Sequence, residues 1–298
     1  MALSTTSAVA KWVATRARAA VGRLIDGARR ISRRSRRRRL HGPALEQPSV
    51  VVAVGLVAAL AAIAVLDPLM RLHPGVSDGS PADLILSTLT NFGEGVEILI
   101  GAGVATLVLA SIDPAGLARR LKAGLFEVAT TAAFAFVAVA GSGLLSSLIK
   151  NLYGRARPGH VVGDGVFQLH SLAFHSKYAA FPSGHATTAG ATAMVLALLF
   201  PRARAAILAC GALVAATRPA LGAHFPSDVL AGLTVGVAFT LALAHLLAGR
   251  GFVFRAAADG RLLPRPWARA DGWFDLLAGL IGAPPRQGHR AARRDPAA

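Results

Sequence analysis

Apolar residues run along this chain in long blocks, not in the alternation that marks a half-buried strand. Two stretches, Val50–Leu66 and Val128–Ile149, carry no charged residue at all. An α-helix rises ~1.5 Å per residue, so a block of roughly 20 apolar residues covers the ~30 Å hydrocarbon core of a bilayer. The pattern predicts six spans, at about 49–69, 94–112, 124–150, 185–201, 204–218 and 227–248. Asp67-Pro68 closes the first and Asp113-Pro114 the second, since proline cannot continue the helical hydrogen-bond ladder. The expected fold is all-α, a polytopic integral membrane helical bundle with six transmembrane helices and both termini cytoplasmic. Three regions follow: a basic extension over 1–48, a six-span membrane domain over 49–248 and a basic tail over 249–298. In the extension, Val9, Trp12, Val13, Val21, Leu24 and Ile25 fall near helical spacing, with Lys11, Arg16, Arg18 and Arg23 between them. That is an amphipathic helix suited to an anionic membrane surface. In the tail, Trp273–Ile281 reads as a short second interfacial helix.

Composition and charge sharpen this picture. Hydrophobic residues make up 54% of the 298 positions and charged residues 16%, with a net charge of +17. Such a charge would suit a nucleic-acid partner, but its distribution suits topology better. With both termini inside, the inner segments hold twelve Lys/Arg before the first span, three at 119–122, two at 202–204 and nine from Arg250 onward. That places 26 of the 32 cations on one side, as the positive-inside rule expects. The cluster Arg33–Arg39 adds about 1 kcal/mol of attraction per residue near anionic lipid. The expected partners are therefore membrane lipids, with the basic termini on an anionic lipid surface and no nucleic acid. Cys210 is the only cysteine and allows no intramolecular disulfide.

The six cations left on the outer side are Arg71, Lys150, Arg155, Arg157, Lys177 and Arg218, and three of them fall in short polar blocks. The blocks are Lys150-x6-Arg157-Pro158, Pro182-Ser183-Gly184-His185 and Arg218-x5-His224-x3-Asp228. Lys150 and Arg157 are about two helical turns apart and could face one pocket, or could be a pair of snorkelling interfacial cations. Pro158 should end the helix near Arg157. Ser183-Gly184 opens an apolar run, so it is either an ordinary N-cap or a helix-terminal anion site, where Gly184 lets the backbone approach an oxygen and Ser183 adds a hydroxyl. His224 and Asp228 share a helical face, and a carboxylate on one ring nitrogen would leave the other nitrogen's lone pair free. Arg218 offers a planar fork to a phosphate. Glu94 and Glu97, at the outer end of the second span, are either water-exposed interface residues or groups that contact a substrate or pair with Lys177 or Arg155. The long loop 158–184, rich in His and aromatics, suits a cover over an interfacial site.

Together the blocks resemble the signature of the type 2 phosphatidic acid phosphatase superfamily, which includes membrane lipid phosphate phosphatases and vanadium haloperoxidases. One departure is Thr217, where the family usually has Ser before the arginine; the hydroxyl is kept. The resemblance implies His224 as nucleophile forming a phosphohistidine, Asp228 as its orienting partner and His185 as general acid. Lys150, Arg157, Ser183, Gly184 and Arg218 would bind the phosphate. The resemblance implies no metal and no cofactor. Apart from the resemblance, Glu94, Glu97 and Lys177 are candidate substrate contacts from their position on the outer side. The expected activity is hydrolysis of a lipid phosphate monoester or diphosphate: isoprenyl diphosphate, lipid A phosphate, phosphatidylglycerophosphate or phosphatidic acid. A lipid-to-lipid phosphotransferase would use the same residues, and a non-catalytic anion-binding membrane protein would need neither Asp228 nor two histidines. The alanine-rich spans and basic ends suit a bacterial inner membrane, with the site facing outward.

Overall fold

The computed structural model describes residues 2–34, 43–72, 75–163, 165, 166, 168–172 and 174–282. The arginines of 35–39, Phe167 and the last part of the basic tail, 283–298, lie outside the described residues. The described chain is mostly helical: α1 (Ala2–Arg33), α2 (Pro48–Leu72), α3 (Pro81–Asn91), α4 (Val96–Ser111), α5 (Arg119–Tyr153), α6 (Gly184–Leu199), α7 (Arg204–Ala220), α8 (Pro226–Gly249) and α9 (Ala270–Leu280). A two-stranded antiparallel hairpin, β1 (Phe254–Ala256) and β2 (Leu262–Pro264), lies between α8 and α9.

Four segments are long and apolar enough to cross a membrane: Pro48–Arg71, Pro81–Ser111, Arg119–Tyr153 and Pro226–Gly249. α6, with 16 residues, and α7, with 17, are shorter. Four of the six expected spans thus coincide with segments long enough to cross, one of them divided into α3 and α4, and α6 and α7 fall short of that length. Several expected boundaries move. Pro68 sits inside α2, which runs on to Leu72 and does not stop at Asp67-Pro68. The interval between the first two expected spans contains α3, opened by Ser80, whose hydroxyl accepts the Asp83 N–H at 3.1 Å, with Pro81 at the first helical position.

α6 is the central helix, with 11 of its 16 residues buried, and it packs on α5, α7 and α8. Its contact with α8 is unusually close. A Cβ at Gly232 would fall 2.4 Å from the Ser183 carbonyl oxygen, and one at Gly236 would fall 2.1 Å from that of Thr187. Glycines four apart let two apolar helices approach at backbone distance. This closeness locks the start of α6 to the start of α8, where two of the three blocks lie.

The opposite end of the bundle is closed by Glu46 and by the segment that follows α8. Phe252, Val253, Phe254 and Leu262 join the core formed by Phe134, Leu198 and Leu241. Glu46 is buried; its carboxylate accepts from Arg204 and from the Leu262 N–H (3.1 Å), and its carbonyl lies 2.8 Å from His245 Nε2. Residues 252–280 are thus packed against the bundle through the hairpin, Trp267 and α9, instead of trailing from it. The amphipathic helix expected near 9–25 is longer, α1 over Ala2–Arg33, and rests on α4 and α5.

Candidate active site

α5 delivers Lys150 in its last turn and then stops at Gly154. That glycine has φ 62°, and a Cβ there would lie 1.8 Å from the His170 carbonyl oxygen, so the left-handed cap requires glycine. The chain then passes through a buried segment, Arg155-Ala156, to Arg157. Two loop carbonyls fix Arg157: its N–H donates to Lys177 (2.9 Å) and its Nε to Ser176 (3.0 Å). Burial pulls the Arg157 pKa down, and Asp228 opposes the shift.

α6 begins directly beside it. Ser183 is the N-cap; its hydroxyl accepts from the Ala186 N–H (3.4 Å) and its own N–H donates to the Asp228 carbonyl (2.9 Å). The first N–H groups of α6 thus point out of the helix end, as an anion site needs. Lys150 Nζ lies 3.2 Å from where a Cβ of Gly184 would sit, so the missing side chain leaves room for the ammonium. His185 is close enough to Arg218, His224, Lys150 and Arg157 to interact electrostatically with each. Arg218, from the last turn of α7, donates to Thr90 Oγ1 (3.1 Å), while its buried Nε has no partner among the described residues. A guanidinium with an unused buried donor is suited to an anion.

His224 is 1% exposed. Its Nδ1 lies 2.9 Å from the Ala180 carbonyl oxygen. A carbonyl can only accept, so Nδ1 carries the proton and Nε2 keeps its lone pair. Asp228 was the expected partner of this ring. Its Oδ2 stands 3.7 Å from Nδ1, an ion-pair distance and too long for a hydrogen bond. The hydrogen bond that sets the tautomer is therefore donated by Nδ1 to a main-chain carbonyl, and Asp228 supplies negative charge beside the ring.

Asp228 is itself held in a buried cluster that the sequence reading missed. Its Oδ1 accepts from Arg155 Nη1 (2.6 Å) and its Oδ2 from the Phe225 N–H (2.9 Å). Arg155 Nη1 also donates to Ser227 Oγ (2.7 Å) and Nη2 to Asp67 Oδ2 (2.8 Å). Asp67 in turn accepts from the Ser227 N–H (3.1 Å) and hydroxyl (2.6 Å). Arg155, Asp67, Ser227 and Asp228 are all fully buried. The guanidinium also lies 4.5 Å from the centre of the Phe225 ring. Asp67, expected only to end a helix, thus ties α2 to the start of α8.

The structure brings Lys150, Arg157, Ser183, Gly184, His185, Arg218, His224 and Asp228 together. It does not bring in all of the other candidates. Glu94 stands in the turn between α3 and α4, with Oε1 3.8 Å from His185 Nε2, so its partner is His185 and neither Lys177 nor Arg155. Glu97 is exposed in the first turn of α4, and the Lys177 side chain is exposed, with only its backbone touching Arg157. Among the described residues no group of three or more His, Cys, Asp or Glu could hold a metal ion.

Burial also lowers the His224 pKa below 6.5, with Asp228 opposing, so the ring is neutral at neutral pH. The unfolded chain then binds a proton more readily at this site than the folded chain does. Between 6.5 and the lower folded value, stability falls as pH falls. The melting temperature of the wild type should drop more on acidification through this window than that of His224→Asn, measured side by side. Equal slopes would contradict the buried neutral ring.

A bundle of long apolar helices around a cationic, histidine-bearing site defines a multi-pass membrane protein with an anion-handling centre. Residues 131–252, which contain all three blocks, match the PAP2 superfamily. Two curated relatives are 45% identical over 141 residues, 47% of this chain: proteins named lipid A 1-phosphatase from Rhizobium johnstonii and from Rhizobium etli. The matches cover 58% and 61% of those proteins, so the chain spans about three-fifths of the length of the curated relatives it matches. The crystal structure of a transmembrane PAP2 type phosphatidylglycerolphosphate phosphatase from Bacillus subtilis aligns with TM-score 0.44 and 18% identity, covering 66% of this chain and 94% of that one.

Proposed function

We propose that the chain is a membrane lipid phosphatase that removes a phosphate from a lipid headgroup through a phosphohistidine, with the 1-phosphate of lipid A as its first substrate. The relatives' name supports that choice of lipid. The observation that carries the chemistry is the His224 ring, with its proton fixed on Nδ1 by Ala180, its Nε2 lone pair left free, and Arg157 and Arg218 near enough to act on it. In the reaction, the Nε2 lone pair forms a bond to phosphorus and the bond from phosphorus to the lipid oxygen breaks. Both ring nitrogens are then substituted and the ring is cationic, which Asp228 at 3.7 Å stabilises. His185 gives its proton to the departing oxygen. The bound phosphate offsets the three cations around His185, and Glu94 then favours the protonated ring. Water, deprotonated by His185, completes hydrolysis by attacking phosphorus and restoring neutral His224.

The reading extends to topology. α6 and α7 are crossings four and five of six, both termini are cytoplasmic, and the site opens on the periplasmic side of a bacterial inner membrane. The catalytic domain is 49–248, flanked by the extension 1–48 and the tail 249–298, whose cations favour an anionic lipid surface. Phosphate release by the detergent-purified full chain, from lipid A, phosphatidylglycerophosphate, phosphatidic acid and an isoprenyl diphosphate, tests the reading. Release from lipid A should exceed the others at equal concentration. Release from none would end it, and faster release from another substrate would replace lipid A with that lipid.

A further inference from the structure

α1 roofs a cavity that the phosphatase chemistry leaves unused. The cavity, about 520 Å³, lies between α1, α4, α5 and α8. That volume is within the ~300–1,000 Å³ of pockets that enclose small molecules. Its walls are mostly apolar and include Leu24, Ile31, Phe126, Ala133, Phe134 and Leu247. Lys122, on its border, and Lys150, in the catalytic site, are 28 positions apart on α5, or roughly 42 Å of helix. The cavity is therefore at the far end of the bundle from His224.

Its mouth is cationic. Arg16, Arg23 and Arg30 recur every seven residues, so α1 turns one arginine stripe toward the bundle. Beside these arginines α1 turns Ala20, Leu24 and Ile31 inward, and it leaves Trp12, Val13, Val21 and Ile25 exposed. Arg16 and Arg23 reach the last carbonyls of α4, at Ala110 and Ser111, and Arg30 lies over the Phe126 ring at 5.3 Å. Lys122 Nζ donates one of its three protons to the Ala115 carbonyl (3.1 Å). Among the described residues no carboxylate lies within 4.0 Å of Arg23, Arg30 or Lys122. The nearby Asp26, also on the cavity wall, is engaged by Arg29 at 3.6 Å. An apolar space with three uncompensated cations at its rim matches one kind of occupant: an acyl chain joined to a phosphate.

We propose that this cavity holds one anionic phospholipid of the bilayer, with an acyl chain between α1, α5 and α8 and the phosphate between Arg23, Arg30 and Lys122. The lipid is a bound component that seats α1 on the bundle, distinct from the substrate. Native mass spectrometry of the full chain in detergent, with phosphatidylglycerol or phosphatidylcholine of identical chains, tests it without reference to catalysis. The wild type should retain one phosphatidylglycerol and favour it over phosphatidylcholine. Arg30→Glu combined with Lys122→Glu, both at exposed positions, replaces attraction by repulsion, so the preference should fall by at least about tenfold. Ala133→Trp, which fills the cavity, should lose bound lipid of both kinds. Equal retention of the two lipids by the wild type would overturn the proposal, as would an unchanged preference in the double reversal. Loss of phosphatase activity with lipid retention intact would count against the catalytic reading alone.

Discussion

A His224→Ala variant should lose lipid phosphate hydrolysis by on the order of 10⁴–10⁶ in kcat, the range seen when a nucleophile acting as part of a unit is removed. The loss should be accompanied by a qualitative change. Wild type quenched during turnover of a radiolabelled lipid phosphate should carry acid-labile label on the protein, as a phosphohistidine does, and His224→Ala should carry none. His185→Ala should fall between them. It retains the attacking nitrogen but lacks the proton donor, so substrates with poor leaving groups should suffer most. The fold should survive the His224 change, because the ring's one hydrogen bond goes to a carbonyl in a loop and the helices pack through other residues. A His224→Ala protein that melts like wild type yet keeps turnover within tenfold would remove His224 from the mechanism.

The second large effect is expected away from the reacting atoms. Arg155→Ala leaves the Asp67 and Asp228 carboxylates buried without their shared cation. Breaking a buried ion pair from one side costs about 3–5 kcal/mol. The melting temperature should fall accordingly, and kcat by at least about 10²-fold, the scale of a displacement of roughly 1 Å in a catalytic group. Arg155 touches no substrate in this reading, so KM should stay close to wild type. Arg155→Lys keeps the charge but not the planar fork that meets Ser227, Asp67 and Asp228 at once. It should restore stability more than turnover. Asp67→Asn should be milder than Arg155→Ala, because the bond from Arg155 to Asp228 survives. If Arg155→Ala instead raised KM with kcat unchanged, Arg155 would be a substrate-binding group and not a positioning one.

Much of the fold was legible because lipid-facing helices must be long and apolar. α2, α5, α6, α7 and α8 all lie near their expected ranges. α3 was missed because Asp83 and three further polar residues, Ser87, Thr88 and Thr90, interrupt its apolar content, although Ser80-Pro81 is a helix-opening signal. The hairpin after α8 was missed despite Asp259-Gly260, a turn pair between two short apolar strands. The eight residues of the three blocks were legible because their chemistry is carried by side-chain type and spacing. The Asp67–Arg155–Asp228 cluster was not, since partners 88 and 73 positions apart leave no periodic trace. One clue was available: an ionisable residue within an apolar span is a functional candidate, and Asp67 follows seventeen apolar positions.

The carbonyl of Ala180 that orients His224 belongs to the main chain, so no substitution at position 180 can delete it. What can be changed is its position, and that depends on residue 155. The Ala180 N–H donates to the Arg155 carbonyl at 3.1 Å, while the Arg155 side chain grips Asp228, whose carboxylate stands near the same ring nitrogen. One residue therefore sets both the acceptor and the counter-charge of the imidazole. A random-mutation screen for lost activity should accordingly be rich in hits at Arg155, a residue that never meets the phosphate.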